Sequence, residues 1–183
     1  MPRAGASNFC IVESSQHFKA TVETPTIQLI TPATPELVNA TRSIFQEYAD
    51  GLEIDLCFQN FDAELADLPG EYAPPQGALL LALVDGEIAG CCAMRPLAAV
   101  DYPNACEMKR LYVRKAFRRL GLGRQLAEAI LDAARVAGFH HLLLDTLSDM
   151  ESARVLYADL GFQDIPPYYH NPIAGAHYLK VDL

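Results

Sequence analysis

From residue 27 onward, segments with the apolar spacing of a helix alternate with short apolar runs typical of strands, and together they predict a mixed α/β fold. Apolar residues at every third or fourth position predict four helices: about four turns from Pro35, a short helix from Asn60 to Leu68, a long one following Arg118–Gly123 and ending at Ala137, and one over Glu151–Leu160. Short apolar runs predict seven strands, near residues 27–30, 78–84, 87–94, 106–113, 141–147, 162–165 and 177–181. This order favours one mixed sheet with helices on both faces.

Turn-forming residues mark the ends of several elements. Asp85-Gly86 stands between two apolar runs, which is a strong signal for a β-hairpin. Thr34 and Asn60 are suited to cap the first two helices, because short polar side chains accept hydrogen bonds from first-turn N–H groups. Gly138 is suited to end the third helix. Cys91-Cys92 lies in an apolar strand, where consecutive side chains point to opposite faces, so we expect one cysteine on each side of the sheet.

Length and charge narrow the function classes. With 183 residues the chain can form one domain with a sizeable core. Its net charge of −9 is a poor match for DNA or RNA, so we expect no nucleic-acid partner. The acidity mildly favours a cationic acceptor such as an amine, although solubility is the commoner cause. No apolar run reaches the roughly 18 residues of a membrane-spanning helix, so we expect no membrane span.

The N-terminal residues and the cysteines indicate where the protein works. Residues 1–25 have neither the apolar core of a signal peptide nor the composition of a transit peptide. We interpret them as an N-terminal extension to one domain at 26–183. The five cysteines form no C-x-x-C pair and have no histidine at metal-ligand spacing, which favours reduced thiols in a cytoplasmic protein and predicts no metal site. They are Cys10, Cys57, Cys91, Cys92 and Cys106.

The segment from Arg118 to Arg124 has the residues of an anion-binding turn. It follows an apolar strand and reads R-R-L-G-L-G-R at the start of the long helix. First-turn N–H groups have no partner within a helix and lie at the positive end of its dipole. Gly121 and Gly123 leave room for a phosphate at the backbone, and five of the fourteen Lys and Arg residues fall at 114–124. Taken alone, these residues also fit a close-packed turn with solvated arginines.

This segment resembles the acetyl-CoA signature Q/R-x-x-G-x-G/A of the GNAT superfamily of N-acetyltransferases. A second run, Ala153–Phe162, is similar to the family's A-x-x-L-Y-x-x-x-G-F. The resemblance, which extends to bacterial small-molecule members, implies the GNAT acyl-CoA N-acyltransferase fold with splayed central strands. It also implies an N-acetyltransferase that uses acetyl-CoA as cosubstrate.

The resemblance further implies which residues contact the cofactor. Backbone N–H groups of the turn are expected to hold the CoA pyrophosphate, on Arg118, Arg119, Leu120, Gly121, Leu122, Gly123 and Arg124. Main-chain groups of Leu111, Tyr112 and Val113 are expected to contact the pantetheine arm. Many family members have an asparagine seven residues before the tyrosine of the second motif. That tyrosine is Tyr157 here, and the position of the asparagine is occupied by Met150. Ser148, Asp149 and Ser152 are nearby substitutes, of which Ser152 is our predicted contact.

Tyr157 is the predicted general acid. It matches the tyrosine that protonates the departing thiolate in many members of the family. A phenol with a pKa near 10 is protonated at neutral pH and is close to a thiolate in basicity. The alternative is a core tyrosine whose hydroxyl is satisfied by the protein.

Glu107 is the predicted general base. It lies eleven residues before Arg118, the offset of the base in histone-type family members. By strand alternation it shares a face with Lys109, Leu111 and Val113. The alternative is a surface glutamate paired with Lys109 or Arg110. Reserve candidates for the base near the end of the first helix are Glu47, Glu53 and Asp55.

The acceptor has fewer signals. Pro166–Pro172 is a stiff aromatic loop that can line a small-molecule pocket or an interface, or simply connect two strands. A similar tail in bacterial small-molecule members favours a small amine or amino acid, whose ammonium Asp50, Glu53 and Asp55 could attract. Two alternatives stay open: a protein acetyltransferase acting on a lysine or N-terminus, and a non-catalytic acyl-CoA-binding sensor. The oligomeric state, including a homodimer, also stays open.

Overall fold

The helices and strands follow the predicted order. The computed structural model describes residues 24–52, 56, 59–98 and 100–183. Its strands are β1 (Ile27–Ile30), β2 (Ala78–Val84), β3 (Glu87–Leu97), β4 (Ala105–Val113), β5 (His141–Leu147), β6 (Gln163–Ile165) and β7 (Ala176–Asp182). Its α-helices are α1 (Pro35–Leu52), α2 (Phe61–Asp67), α3 (Leu122–Val136) and α4 (Glu151–Asp159), with 3₁₀ turns at Gly70–Tyr72 and Lys115–Phe117. The predicted extension at 1–25 lies almost wholly outside the described residues, so the domain boundary stays a prediction.

The seven strands form one mixed sheet that opens in its middle. Their order is β1-β2-β3-β4-β5-β7-β6, and β4–β5 is the parallel pair among antiparallel ones. The β4–β5 pairing starts at Ala105–His141 and ends at Glu107–Leu143. From there to Val113 the two strands separate, which confirms the predicted splay. The opening exposes main-chain groups on facing strand edges.

A bulge in β4 lies beside this opening. Cys91 pairs with Tyr112 and Ala93 pairs with Lys109, so β4 has one residue more than β3 between the two pairs. Arg110 lies within this stretch and has a φ of 59°, a conformation that non-glycine residues seldom adopt. The extra residue interrupts the ladder and changes which face the following side chains occupy.

The bulge overturns one expectation about the faces of β4. Leu111 and Val113 pack into the apolar cluster formed with α3, whereas Glu107 makes its contacts with polar side chains elsewhere. Strand alternation put all three on one face, and that prediction is wrong. The positive-φ residue between them resets the alternation, so only Lys109, on the near side of the bulge, stays with Glu107.

Apolar side chains fill the space on both sides of the sheet. Leu126 and Ile130 of α3 are fully buried on one side, and Ile44 and Phe45 of α1 on the other. Cys91-Cys92 contributes one buried side chain to each of these clusters, as predicted. Burial raises the pKa of both thiols, which suits small apolar packing residues rather than reactive groups. None of the described helices is long and apolar enough to cross a membrane.

The turn signals are confirmed at most positions. Asp85 and Gly86 both have positive φ, 50° and 85°, as a type I′ hairpin requires. The Thr34 hydroxyl accepts the Leu37 N–H at 3.4 Å. Asn60 precedes α2 but makes no side-chain cap, so its capping prediction is wrong. A capping residue normally has extended backbone, whereas Asn60 is left-handed with a φ of 56°.

Candidate active site

A cleft opens where β4 and β5 separate. The space between its walls, counted together with adjoining open solvent, is about 680 Å³. Its walls come from the end of α1, from α4, from both splayed strands and from the loop between β6 and β7 (residues 166–175), called the C-terminal loop below. The lining residues are Tyr48, Leu52, Leu56, Gln59, Met108, Lys109, Arg110, Leu111, Asp145, Thr146, Leu147, Met150, Ala153, Tyr157, Asn171 and Ile173.

The turn before α3 has free hydrogen-bond donors. Arg119 and Gly121 have left-handed φ values of 73° and 74°, and the helix begins at Leu122. None of the backbone N–H groups from Arg119 to Arg124 donates to another described residue. Such a row of donors at the positive end of a helix dipole is an anion-binding arrangement.

The two glycines of the turn leave its outer surface open. A Cβ on Gly121 would meet only the Gln125 side-chain nitrogen, at 3.9 Å. A Cβ on Gly123 would meet Leu156 of α4 at 3.8 Å, which is ordinary contact. Packing within the protein therefore does not require either glycine, although the φ of Gly121 favours one. The contact with Leu156 also places the turn beside α4, which lines the cleft.

The basic side chains near the turn are only partly available. Two of the five make neither an ion pair nor a side-chain hydrogen bond with a described residue, and these are Lys115 and Arg119. The other three have partners: Arg114 with Glu47 at 2.9 Å, Arg124 with Asp159 at 2.9 Å, and Arg118 with the Val113 carbonyl at 3.2 Å. The anion site therefore depends more on backbone donors than on the local surplus of arginine.

The other predicted cofactor contacts are in the splayed part of β4 and in the first turn of α4. Tyr112 and Val113 pair with β3, and Leu111 lies in the bulge, whereas none of the three pairs with β5, because the β4–β5 pairing ends before them. Ser152 is exposed in the first turn of α4. Met150, at the position of the family asparagine, lines the cleft and accepts a weak contact from Thr146 at 3.6 Å.

Tyr157 projects from α4 into the cleft. The residue is 6% exposed, and its ring lies 5.5 Å from that of Phe162. Its hydroxyl makes no hydrogen bond to any described residue, unlike a core tyrosine satisfied by the protein. Burial, and then the neighbouring Cys92, Tyr48 and Asp145, raise the pKa of Tyr157 well above its ordinary value. The phenol is therefore protonated at neutral pH.

Glu107 is buried behind the cleft wall. Its side chain is 2% exposed, with one oxygen accepting from Arg95 at 2.9 Å and the other from the Tyr168 hydroxyl at 2.9 Å. Lys109 Nζ, which lines the cleft, is 3.8 Å from the second oxygen. The alternative of a surface glutamate paired with Lys109 or Arg110 does not describe this residue. Glu107 is an interior group one side chain away from the cleft.

The reserve carboxylates lie elsewhere. Glu47 is half-exposed and binds Arg114 and the Tyr112 hydroxyl, and it does not line the cleft. Asp50 accepts from Gln46 on the exposed side of α1. Glu53 and Asp55 lie outside the described residues, so their predicted roles stay predictions.

Polar residues that the sequence analysis did not select surround Asp145 at one end of the cleft, which is called the acceptor end below after the role proposed for it. Asp145 accepts from the Tyr169 hydroxyl at 2.8 Å and from Asn171 at 3.3 Å. Gln59 accepts from both Lys109 and Arg110, at 3.1 and 3.0 Å. One signal was available, since Asp145 interrupts the apolar strand H-L-L-L-D-T-L and Lys109-Arg110 interrupts β4. Charged residues inside a buried strand need partners or a function.

Arg110 is fully engaged by its neighbours. It makes two hydrogen bonds to Glu64, at 3.0 and 2.6 Å, and its guanidinium lies over the Phe61 ring at 5.0 Å. Burial would raise the pKa of Glu64, but the hydrogen bond and charge of Arg110 outweigh it and lower that pKa. The pair is a buried, mutually neutralising structural unit.

Three tyrosines pack together next to this end of the cleft. Tyr168 and Tyr169 of the loop before β7 contact each other and Tyr178 of β7, with ring centroids 5.3 to 5.6 Å apart. Burial and the nearby carboxylates raise the pKa of Tyr168 and Tyr169, so both hydroxyls stay protonated and donate. Of the readings offered for Pro166–Pro172, the lining of a pocket fits, because Asn171 belongs to the cleft wall.

Comparison with known proteins agrees with this geometry. Residues 38–162 match the model of the acetyltransferase (GNAT) family. An uncharacterized N-acetyltransferase of Schizosaccharomyces pombe is 39% identical over 150 residues, covering 81% of this chain and 90% of that protein. Human N-acetylaspartate synthetase is 29% identical over 113 residues, 61% of this chain and 36% of its own length.

A solved structure shares the fold. The yncA protein of Salmonella typhimurium, solved with its cofactor acetyl-CoA, has a TM-score of 0.63 at 18% identity, covering 85% of this chain and 93% of its own. The predicted fold class is thereby confirmed. The family match spans residues 38–162, which include the turn before α3 and the α4 motif, and the yeast relative covers 81% of the chain. The chain belongs to the acetyltransferase (GNAT) family and is an N-acetyltransferase.

Proposed function

We propose that the protein transfers the acetyl group of acetyl-CoA to the primary amine of a small molecule or amino acid, by direct attack in a ternary complex. The observation that carries the proposal is that the turn before α3 and Tyr157 are both close to α4. Arg124, at the end of the turn with unpartnered N–H groups, binds Asp159 of α4 at 2.9 Å, and α4 also presents Tyr157 to the cleft. One extended thioester could reach both.

Acetyl-CoA fits this layout as a substrate. Its pyrophosphate would lie on the backbone N–H groups of Arg119–Arg124, with Lys115 and Arg119 as available cations. The predicted contact of the Arg118 N–H is not part of this row, because that group donates to the Lys115 carbonyl at 3.4 Å. Its pantetheine arm would lie against the main-chain edge of Leu111–Val113, which β5 leaves unpaired. The acetyl-CoA bound in the yncA protein supports the choice of cosubstrate.

The reaction needs one proton removed and one supplied. The acceptor ammonium loses a proton, its nitrogen attacks the thioester carbonyl, and a C–N bond forms. The C–S bond then breaks and the thiolate leaves. Tyr157 is the proposed donor to that thiolate, because a protonated hydroxyl with no described partner is free to bond to the sulfur.

Two carboxylates are candidates for the base. Glu107 is the prediction from the family resemblance, and from its buried position it would act through water or through the cleft-lining Lys109. Asp145 is a second candidate, favoured by the observation that it lines the cleft itself.

A small acceptor suits the shape of the cleft. A protein substrate needs an open groove, whereas Pro166–Pro172 borders this cleft and the Tyr169 hydroxyl bonds to its wall at Asp145. The N-acetylaspartate synthetase relative, by its name, makes an acetylated amino acid.

The test measures acetyl-CoA binding by calorimetry and then thiol release with three acceptor sets: small amines, amino acids, and peptides with a free N-terminus or lysine. Saturable binding and turnover with the first two sets are expected. Turnover with peptides only would indicate a protein acetyltransferase. Binding without turnover on any set would indicate the sensor alternative, and no binding would refute the proposal.

A further inference from the structure

Lys109 has an ammonium group with unused hydrogen-bonding capacity. Its side chain is 6% exposed, yet Nζ makes one hydrogen bond among the described residues, to Gln59 at 3.1 Å. The nearest carboxylate oxygens, of Asp145 and Glu107, are 3.7 and 3.8 Å away, which is beyond hydrogen-bond length. An ammonium has three donors, and a buried one that leaves donors unused is costly.

Asp145 has a carboxylate oxygen that accepts no hydrogen bond from a described residue. Its Oδ2 accepts from Tyr169 and Asn171, whereas Oδ1 has no hydrogen bond from a described residue and faces Lys109 at 3.7 Å. Both residues line the cleft. The cleft wall therefore presents one incompletely bonded cation and one incompletely bonded anion side by side.

The neighbouring charged side chains make no hydrogen bonds to Lys109 Nζ or Asp145 Oδ1. Arg110 is held by Glu64 at 2.6 Å, and Glu107 is held by Arg95 at 2.9 Å. Each of these pairs satisfies itself at hydrogen-bond distance. The Lys109–Asp145 pair is the longer-spaced one, and it alone of the three has both members in the cleft wall.

We propose that the acceptor carries a carboxylate next to its amine, with Lys109 binding the carboxylate and Asp145 binding the ammonium before it is deprotonated. An amino acid has both groups on one carbon, so it can bridge a pair 3.7 Å apart and give each member a charged hydrogen bond. An amine without a carboxylate leaves the Lys109 donors unfilled. This inference rests on the proposed acetyl transfer.

The experiment compares matched acceptors that differ only in the carboxylate. Wild-type enzyme with saturating acetyl-CoA is assayed for thiol release with an amino acid, its carboxamide and its decarboxylated amine, for several side chains. We expect kcat/KM to be about 10- to 100-fold higher for the amino acid, the range for one charge-assisted hydrogen bond. The difference should be mainly in KM.

Variants at Lys109 then locate the preference. Lys109→Met keeps the length of the side chain and removes the charge. It should abolish the preference, because the amino acid loses its carboxylate partner, whereas any change that Lys109→Met causes for all three acceptors cancels in the ratio of their kcat/KM values. Lys109→Arg should restore part of it. Lys180→Met, on β7 outside the cleft wall, is the matched control and should behave as wild type.

Each remaining outcome has a distinct meaning. Equal or better use of decarboxylated amines by the wild type overturns the inference, and so does an equal loss for all three acceptors in Lys109→Met with Lys109→Arg giving no rescue. Acetyl-CoA binding with no turnover of any amino acid also overturns it. Absence of acetyl-CoA binding refutes the proposed function instead, and the calorimetry identifies that case.

Discussion

The two ends of the cleft are built from different parts of the polypeptide. At the proposed cofactor end, the six consecutive residues Arg119–Arg124, before and within the first turn of α3, present free backbone N–H groups, and no buried ion pair is involved. At the acceptor end, side chains from β4, β5, α2 and the C-terminal loop form buried charged contacts. Backbone donors suit any phosphate, whereas a network of paired charges selects by shape and sign.

The difference predicts unequal costs of mutation. A buried ion pair is destabilising when one partner is lost, because the other charge stays buried without compensation. A surface turn whose donors face solvent has no such penalty. The acceptor end should therefore couple substrate recognition to stability, and the cofactor end should not.

Glu64→Gln should produce the largest effect and tests the coupling directly. Arg110, with a 3% exposed side chain, would lose its charged partner, and we expect the free energy of unfolding to fall by about 3–5 kcal/mol. Urea unfolding measures this. Glu71→Gln is the matched control, because its pair with Arg95 is at the surface and 66% exposed on the glutamate side, and it should cost less than about 1 kcal/mol. Similar losses for both would show that the burial of the Arg110–Glu64 pair does not couple the acceptor end to stability.

The same pair should appear in the pH dependence of stability. Because the pKa of Glu64 is lower in the folded state than its ordinary value of 4.5, its contribution is present above that value and is lost as pH falls through the folded pKa. Wild-type stability should decline below about pH 4.5 more steeply than that of Glu64→Gln. Parallel curves would show that Arg110 does not stabilise the Glu64 carboxylate.

Tyr157→Phe should have the next largest effect, and that effect should be on the chemical step. It keeps the ring packing on Phe162 and removes only the hydroxyl. We expect the chemical step to slow by about 10²-fold or more, with acetyl-CoA affinity little changed. Single-turnover kinetics separates the step from binding, and Tyr102→Phe, outside the cleft lining, is the control. Full turnover by Tyr157→Phe would remove the proposed acid.

Gly121→Asp tests the cofactor end. Aspartate puts a side chain and a negative charge where a phosphate is expected, at a residue with a φ of 74°. Gly121→Asn has the same shape and the same tolerance of left-handed backbone without the charge. We expect acetyl-CoA to bind Gly121→Asp at least about tenfold more weakly than Gly121→Asn, since one charge contact is worth about 1.4 kcal/mol or more. Equal affinities in calorimetry would move the pyrophosphate elsewhere.

The contrast also explains what could be predicted from the sequence. The strands, the helices and the turn before α3 have local signals, because spacing, caps and glycines lie within a few residues. The acceptor end joins Gln59 to Tyr169 across 110 residues, and no local pattern shows that contact. The bulge at Arg110 was also unpredictable, since a non-glycine residue with positive φ gives no signal in the sequence. It moved Glu107 away from the face of Leu111.

The smallest expected effect separates the two carboxylates behind the acceptor end. Glu107→Gln should lower kcat/KM by about tenfold near neutral pH, below the usual range for direct acid–base catalysis because Glu107 lies behind the cleft wall. The loss should shrink at high pH, where more acceptor is already deprotonated. Asp145→Asn should instead raise KM for the acceptor at every pH, since the proposed role of Asp145 is to bind the ammonium. A full pH–rate profile with an amino-acid acceptor distinguishes the two roles. Recovery of activity at high pH in Asp145→Asn, together with a wild-type profile in Glu107→Gln, would identify Asp145 as the base instead of Glu107.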